Sequence, residues 1–278
     1  MKKTVQIILL LCLIPCCALA YDFKVDGVYY RITNRCKRTV EVTHWEELTA
    51  EGGKPQRVMH HHSCGCGESS DHCSKHDMRK HLKLIQMDED AVERERTAYI
   101  GKVTIPAVVR YKGVKYKVVG VGDGSFFGRK QLTEVVLPSS ITYIGEAAFE
   151  NCVSLREVQL PSAVTTIGIA AFRRCLALSA LTLPEGLQAI DVYAFAFCGK
   201  LARVQVPASV DTFPGNVFFH CPMLKSIYLP HTVPPVVRND NGLTMNFRNI
   251  VFYVPADVLP LYRESAFWGK QNVQAVKQ

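Results

Sequence analysis

Apolar and polar residues recur with a period of 23 residues through the middle of the chain. Each unit begins with a leucine and alternates over six positions, as in residues 132–137, which predicts a β-strand with one buried face. A proline follows and predicts the end of the strand, because proline donates no backbone hydrogen bond. Two isoleucines and a phenylalanine then return the chain to the interior. The units begin at Leu132, Leu155, Leu178, Leu201 and Leu224.

Three further columns keep this period. One unit cannot bury its own apolar face, but stacked units share one long core. A period of this length with an L-x-x-L-x-L type of core predicts a leucine-rich repeat solenoid, an α/β right-handed superhelix with a parallel β-sheet on one face. The columns are Pro138, Pro161, Pro184, Pro207 and Pro230; Phe149, Phe172, Phe195 and Phe218; and Cys152, Cys175, Cys198 and Cys221.

The segments around the repeats predict the domain organisation. Residues 21–50 alternate around an Asp-Gly pair, which predicts an N-terminal β-hairpin cap. Residues 98–254 form the predicted solenoid, whose first coil carries a small hairpin near residues 111–116. Residues 255–278 form a predicted helical cap, with a helix over 256–267 and Trp268 closing the core. Residues 51–97 are a charged, His- and Cys-rich insertion.

The first 20 residues have the pattern of an export signal. Two lysines precede an apolar run over residues 5–14, and Ala18-Leu19-Ala20 provides a small-x-small cleavage site. The apolar run is too short to span a membrane comfortably. We therefore expect export with cleavage before Tyr21, while Cys16 and Cys17 leave a lipid-anchored alternative open.

Cleavage at this point would leave eight of the 11 cysteines. The four column cysteines follow the buried phenylalanines at a fixed distance, so we expect them to be reduced residues that pack in the core. An even number of cysteines in an exported chain also permits disulfides. The state of Cys36, Cys64, Cys66 and Cys73 is left open.

Composition argues against two classes of function. The net charge of +8 is scattered, and no basic run alternates with aromatic residues, so we expect no nucleic-acid groove. The glycine-rich residues 120–125 match neither a dinucleotide fingerprint nor a nucleophile elbow, and the repeat explains them as a coil turn. We expect no catalytic residues and no enzyme activity.

The insertion contains one cluster with metal-ligand chemistry. Thiolates and imidazoles suit zinc or copper, although the Cys-x-Cys spacing is not that of a known zinc finger. The alternatives are a histidine-rich loop with incidental metal affinity and a disulfide within the cluster. The candidate zinc ligands are His60, His62, Cys64, Cys66, His72, Cys73 and His76, within a loop over 60–81.

Outward positions of the repeat strands form the predicted binding face. Their mixture of charges with one aromatic suits protein recognition, and it also suits an ordinary solvated sheet. The candidate partner-binding residues are Glu134, Arg156, Glu157, Gln159, Arg203, Gln205, Lys225 and Tyr228.

The repeat also resembles a known family. The unit Leu-x-x-Val-x-Leu-Pro-x-x-Ile-x-x-Ile-Gly-x-x-Ala-Phe-x-x-Cys at residues 132–152 is similar to the BspA-like leucine-rich repeats of bacterial surface proteins. The opening and closing segments also resemble those of Bacteroidetes members. The resemblance implies export to the surface or periplasm of a Gram-negative cell and adhesion to proteins or glycans of host or neighbouring cells. The alternative is an exported metal-binding protein that carries the 60–81 loop on a solenoid scaffold.

Overall fold

The computed structural model describes residues 23–25, 28–43, 99–238 and 249–276. The strands of this part of the chain form two series of sheets around one core. In chain order they are β1 (Phe23–Val25), β2 (Val28–Asn34), β3 (Thr39–Thr43), β4 (Gly101–Thr104), β5 (Val108–Tyr111), β6 (Val114–Val121), β7 (Leu132–Val136), β8 (Tyr143–Ile144), β9 (Glu157–Gln159), β10 (Thr166–Ile167), β11 (Ala180–Thr182), β12 (Ala189–Ile190), β13 (Arg203–Gln205), β14 (Thr212–Pro214), β15 (Ser226–Tyr228), β16 (Val236–Arg238), β17 (Val251–Val254) and β18 (Asn272–Ala275). Among the described residues, one α-helix, α1 (Leu259–Glu264), precedes β18.

Each coil places one strand in each sheet. The first sheet consists of the ladders β4-β7-β9-β11 and β13-β15-β17-β18, and all of their pairs are parallel. The second sheet consists of β1-β2-β3-β6-β8-β10-β12, with β5 beside β6, and of the separate pair β14-β16. Partners in successive coils are 23 residues apart, as in Thr166 and Ala189. The predicted solenoid is thereby confirmed.

The core follows the apolar columns. Leu132, Val135 and Leu137 are buried, as the strand alternation predicts. Five phenylalanines form a continuous stack whose ring centroids lie between 5.0 and 5.7 Å apart, a favourable distance for offset rings. The stack consists of Phe126, Phe149, Phe172, Phe195 and Phe218.

The column cysteines form a second ladder beside the rings. Each is buried and reduced, and each thiol donates a hydrogen bond to the phenylalanine carbonyl of the preceding coil. The Cys152 sulfur lies 3.0 Å from the Phe126 oxygen, and burial raises the pKa of this thiol to about 12. The predicted role of these cysteines in packing is confirmed. Cys36 is exposed and also reduced.

The turns that follow the second-sheet strands contain residues in the left-handed region, as at residues 147–151. The first described coil uses glycine at both left-handed positions, Gly124 and Gly128. Later coils place side chains there, which costs roughly 1–2 kcal/mol per residue. They are Ala147, Ala170 and Tyr193 at one position, and Asn151, Arg174, Phe197 and His220 at the other.

Gly145 and Gly168 allow adjacent coils to pack closely and do not provide a left-handed turn. Neither has a positive φ. A Cβ atom on Gly168 would lie 2.8 Å from the Glu146 nitrogen and 2.9 Å from the Gly145 carbonyl carbon, so glycine allows adjacent coils to approach closely. The backbone nitrogens of both glycines donate across to the previous coil. Pro214 occupies the same repeat position and has no hydrogen to donate, which accounts for the interruption between β12 and β14.

The N-terminal cap does more than cover an end. β1 and β2 pair as an antiparallel hairpin in which Val25 faces Val28, and β3 then lies parallel to β6. The cap therefore extends the second sheet by three strands. Phe23 stacks on Tyr111 at 4.4 Å, which attaches the cap to the β5-β6 hairpin predicted in the first coil. The insertion 51–97 lies outside the described residues.

The C-terminal cap is shorter in helix than expected and includes an additional strand. A 3₁₀ turn at Ala256–Val258 leads into α1, a second 3₁₀ turn spans Trp268–Lys270, and β18 then pairs with β17. The expected helix over 256–267 is therefore wrong in extent. Trp268 is buried, packs edge-on against Phe252 at 5.1 Å and donates its indole hydrogen to the Pro235 carbonyl. It closes the core as predicted.

Candidate functional site

The outer face of the first sheet carries two parallel rows of side chains. They alternate with buried residues such as Val135 and Val158, so their outward direction follows from the pleat. The first row is Lys102, Glu134, Glu157, Ala180, Arg203, Ser226, Val251 and Asn272. The second row is Thr104, Val136, Gln159, Thr182, Gln205, Tyr228, Tyr253 and Gln274.

Six of the eight candidate partner-binding residues belong to these rows, and the other two precede the strands at their starts. Glu134 and Tyr228 are half-buried, and Arg156 and Lys225 lie one residue before β9 and β15. The other four candidates in the rows are exposed: Glu157, Gln159, Arg203 and Gln205. The structure therefore places six of the eight on this face, and Arg156 and Lys225 are exposed at its border. Whether they contact a partner stays a prediction.

Sequence reasoning missed the residues that the terminal strands add to this face. Lys102 on β4 forms an ion pair with Glu134 at 2.8 Å. Tyr253 on β17 lies beside Tyr228, and Gln274 on β18 lies beside Tyr253. The connections before these strands have irregular lengths. The 23-residue period therefore does not predict which of their residues align with the rows. The alternation over residues 251–254 was the available signal for Tyr253.

Charge is distributed unevenly along the face. Glu134 and Glu157 are register partners near the N-terminal end, and the exposed Lys102–Glu134 pair offsets part of their repulsion. Arg203 and Lys225, further along, have no ion-pair partner within the described residues. The neighbouring Gln205 donates to the Glu185 carboxylate at 3.2 Å. The C-terminal half of the face therefore offers cations, amides and phenols.

A buried polar cluster lies on the second sheet. Glu41 on β3 is 4 % exposed and accepts hydrogen bonds from Arg31 and from the Tyr143 phenol. Burial, together with the Glu41 charge, raises the pKa of Tyr143. The three residues come from the cap and from the second described coil, so this cluster fastens the cap to the solenoid. Sequence reasoning did not identify it.

The other candidate chemistry finds no site in the described part of the chain. The seven candidate zinc ligands between His60 and His76 lie outside the described residues. Within residues 23–25, 28–43, 99–238 and 249–276, no group of three or more His, Cys, Asp or Glu side chains is arranged to hold a metal ion. In the glycine-rich segment, Ser125 is buried and donates its hydroxyl to the Val42 carbonyl at 2.9 Å.

No helix among the described residues is long and apolar enough to cross a bilayer.

The fold and its repeated face define a leucine-rich repeat protein. Residues 120–239 match the BspA type Leucine rich repeat region in six copies. The chain belongs to this BspA-type leucine-rich repeat family. No curated protein matches the chain.

Three solved structures are similar to this chain. The leucine-rich repeat protein TpLRR of T. pallidum is 31 % identical, over 55 % of this chain and 68 % of that one, with a TM-score of 0.46. The pneumococcal vaccine antigen PcpA is 17 % identical, over 66 % of this chain and 42 % of that one, with a TM-score of 0.54. A leucine-rich repeat protein of Bacteroides ovatus is 19 % identical over 92 % and 67 % of the two chains, with a TM-score of 0.41. The likeness to PcpA concerns the fold alone, and the chain spans less than half of that protein.

Proposed function

We propose that this protein is an exported, non-enzymatic binding protein that holds a protein partner on the outer face of its first sheet. The partner would belong to a host or a neighbouring cell, with a surface glycan as the alternative ligand. The observation that carries the proposal is the pair of side-chain rows, which runs across eight strands and takes no part in the core. The export pattern in residues 1–20 supports the location.

The repeated coils make the face rigid. Stacked coils hold outward side chains at fixed spacings on a rigid scaffold, so little ordering entropy is lost when a partner binds. The face also contains tyrosine and arginine, the residue types that contribute most to protein interfaces. Ser125, the hydroxyl in the glycine-rich segment, is buried and donates to the Val42 carbonyl, which supports a non-enzymatic role.

The chain offers a matched pair of variants for the test. Ala180 and Ala189 are both exposed, both lie on strands of the same coil, and they belong to the first and second sheets respectively. Arginine at Ala180 would stand in the middle of the proposed face, whereas arginine at Ala189 adds the same bulk and charge to the other sheet. The immobilised protein is probed with purified extracellular matrix proteins and with whole host and bacterial cells.

We expect Ala180→Arg to abolish most of the binding that the unmodified protein shows, with an unchanged melting temperature. Ala189→Arg should leave that binding intact. Equal binding by both variants, or equal loss in both, would contradict the assignment of the face. Binding that survives removal of surface proteins by protease but is lost after glycosidase treatment would select the glycan alternative.

A further inference from the structure

The C-terminal half of the face is a continuous unit of its own. The ladder β13-β15-β17-β18 is hydrogen-bonded throughout and is separate from the ladder that ends at β11. In this unit, Gln205, Tyr228, Tyr253 and Gln274 are successive register partners. Neighbouring strands lie roughly 4.8 Å apart, so the four side chains form a line about 14 Å long. Two phenols thus lie side by side between two amides.

Two cations border this line. Arg203 on β13 and Ser226 on β15 are register partners. The backbone nitrogen of Lys225, the residue before β15, donates to the Ala202 carbonyl, so Lys225 lies beside the start of β13. Both side chains are exposed, and neither has an ion-pair partner within the described residues. The carboxylate of Glu185 lies nearby and already accepts a hydrogen bond from Gln205. The outward positions of the four strands themselves include no carboxylate.

We propose that this surface binds an acidic segment of a partner protein that also carries an aromatic side chain. We name the surface the tyrosine patch: Arg203, Gln205, Lys225, Tyr228, Tyr253 and Gln274. The inference rests on the proposed function and specifies the partner's chemistry. Unpaired cations attract carboxylates, tyrosines provide rigid apolar contact area, and the flanking amides can bond to the backbone of an extended segment.

The patch favours a protein partner over an acidic polysaccharide on one further ground. The patch itself contains two cations, Arg203 and Lys225, whereas binding of a uniformly charged polymer depends mainly on the number of charges that are neutralised. The two phenols lie at the centre, where the residues that contribute most to protein interfaces cluster. Charge at the rim would then mainly speed association and select the partner.

The test uses the full chain and three soluble probes: poly-L-glutamate, a random copolymer of glutamate and tyrosine, and hyaluronate. Affinities are measured at low and at physiological salt. We expect the copolymer to bind most tightly, poly-L-glutamate more weakly and hyaluronate most weakly. The double variant Arg203→Ala/Lys225→Ala should weaken both polypeptides on the order of tenfold. Tyr253→Ala should remove the advantage of the copolymer over poly-L-glutamate.

Matched controls distinguish binding at the tyrosine patch from a general effect of the protein's positive charge. Lys115 and Lys117 are exposed on β6 of the second sheet, so Lys115→Ala/Lys117→Ala removes the same charge elsewhere. Tyr253→Leu keeps apolar bulk and shows whether a loss in Tyr253→Ala reflects misfolding, with melting temperature as the check. Equal weakening by both double variants, or hyaluronate binding as tight as the copolymer, would overturn the inference.

The inference and the proposed function can fail independently. If Ala180→Arg abolishes partner binding while Arg203→Ala/Lys225→Ala and Tyr253→Ala do not alter it, the face binds its partner but the tyrosine patch is not the contact. If the copolymer binds the patch as expected while Ala180→Arg and Ala189→Arg behave alike toward matrix proteins and cells, the broader proposal fails by itself.

Discussion

The ring of Tyr143 lies directly over Gly120, and its phenol donates a hydrogen bond across that glycine to Glu41. The three residues are successive partners on β8, β6 and β3. A side chain on the middle strand would occupy the space of the ring. The absence of a side chain at position 120 therefore allows the cap and the second described coil to meet across β6.

We expect Gly120→Ala to destabilise the protein by about 2–3 kcal/mol, because an added methyl group in a filled space forces the ring or the backbone to move. Denaturant unfolding would measure the loss. In Gly120→Ala/Tyr143→Ala the clash is absent, so the double variant should be more stable than the sum of the two single changes predicts. Gly199→Ala is the control, since its Cβ would come no closer than 3.4 Å to a neighbour. Additive losses in the double variant would refute this packing.

The left-handed turn positions make a second prediction. Arg174 has a φ of 60° and an exposed side chain. Arg174→Gly and Arg174→Ala both remove the guanidinium, but only glycine also removes the cost of this conformation. We expect the glycine variant to be more stable than the alanine variant by about 1 kcal/mol. Lys200 is exposed and has no positive φ, so there the alanine variant should be more stable than the glycine variant. The same order at both positions would argue against strain at Arg174.

His231 predicts a dependence of stability on pH. Its imidazole is buried, Nε2 donates to the Val210 carbonyl at 2.8 Å, and Nδ1 has no hydrogen-bond partner among the described residues. Burial lowers the pKa of His231 below its ordinary value of 6.5, although the Val210 bond and Asp211 oppose the change. The unfolded chain therefore binds the proton more readily. This contribution to stability is complete above pH 6.5 and is lost as the pH falls toward the lower pKa of the folded state.

Thermal unfolding across this pH range would measure the effect. His231→Gln keeps an N–H donor for Val210 and does not titrate, so its stability should fall less with acid than that of the unmodified protein. His220→Gln changes an exposed histidine and should follow the unmodified protein. Identical acid sensitivity in His231→Gln and the unmodified protein would exclude His231 as the cause.

The zinc prediction concerns residues outside the described part of the chain. If the cluster between His60 and His76 is a true site, the full chain should bind zinc with a defined stoichiometry that is lost when residues 51–97 are deleted. Cys64→Ser/Cys66→Ser/Cys73→Ser is a smaller change that should have the same effect. Isothermal titration and metal analysis would measure it. Equal zinc content in the full chain and both variants would contradict a zinc site in the cluster and would indicate incidental zinc binding elsewhere.

The repeat positions show how much of the fold could be predicted. Leu132, Phe149 and Cys152 recur every 23 residues, and their burial follows because every coil repeats the same backbone path. The outward direction of Glu157 and Arg203 follows from the same register. The candidate face was therefore largely predictable wherever the period holds.

The amino-acid sequence by itself determined the solenoid, its core columns and most of its binding face, because periodic residues occupy equivalent places in stacked coils. Only the tertiary structure decided that Tyr143 meets Glu41, 102 residues away, and that β18 brings Gln274 beside Tyr253. These contacts join segments whose connections have no period, so their register depends on how each cap packs against the end of the core. The buried cluster around Glu41 and the full extent of the tyrosine patch therefore depend on the tertiary structure.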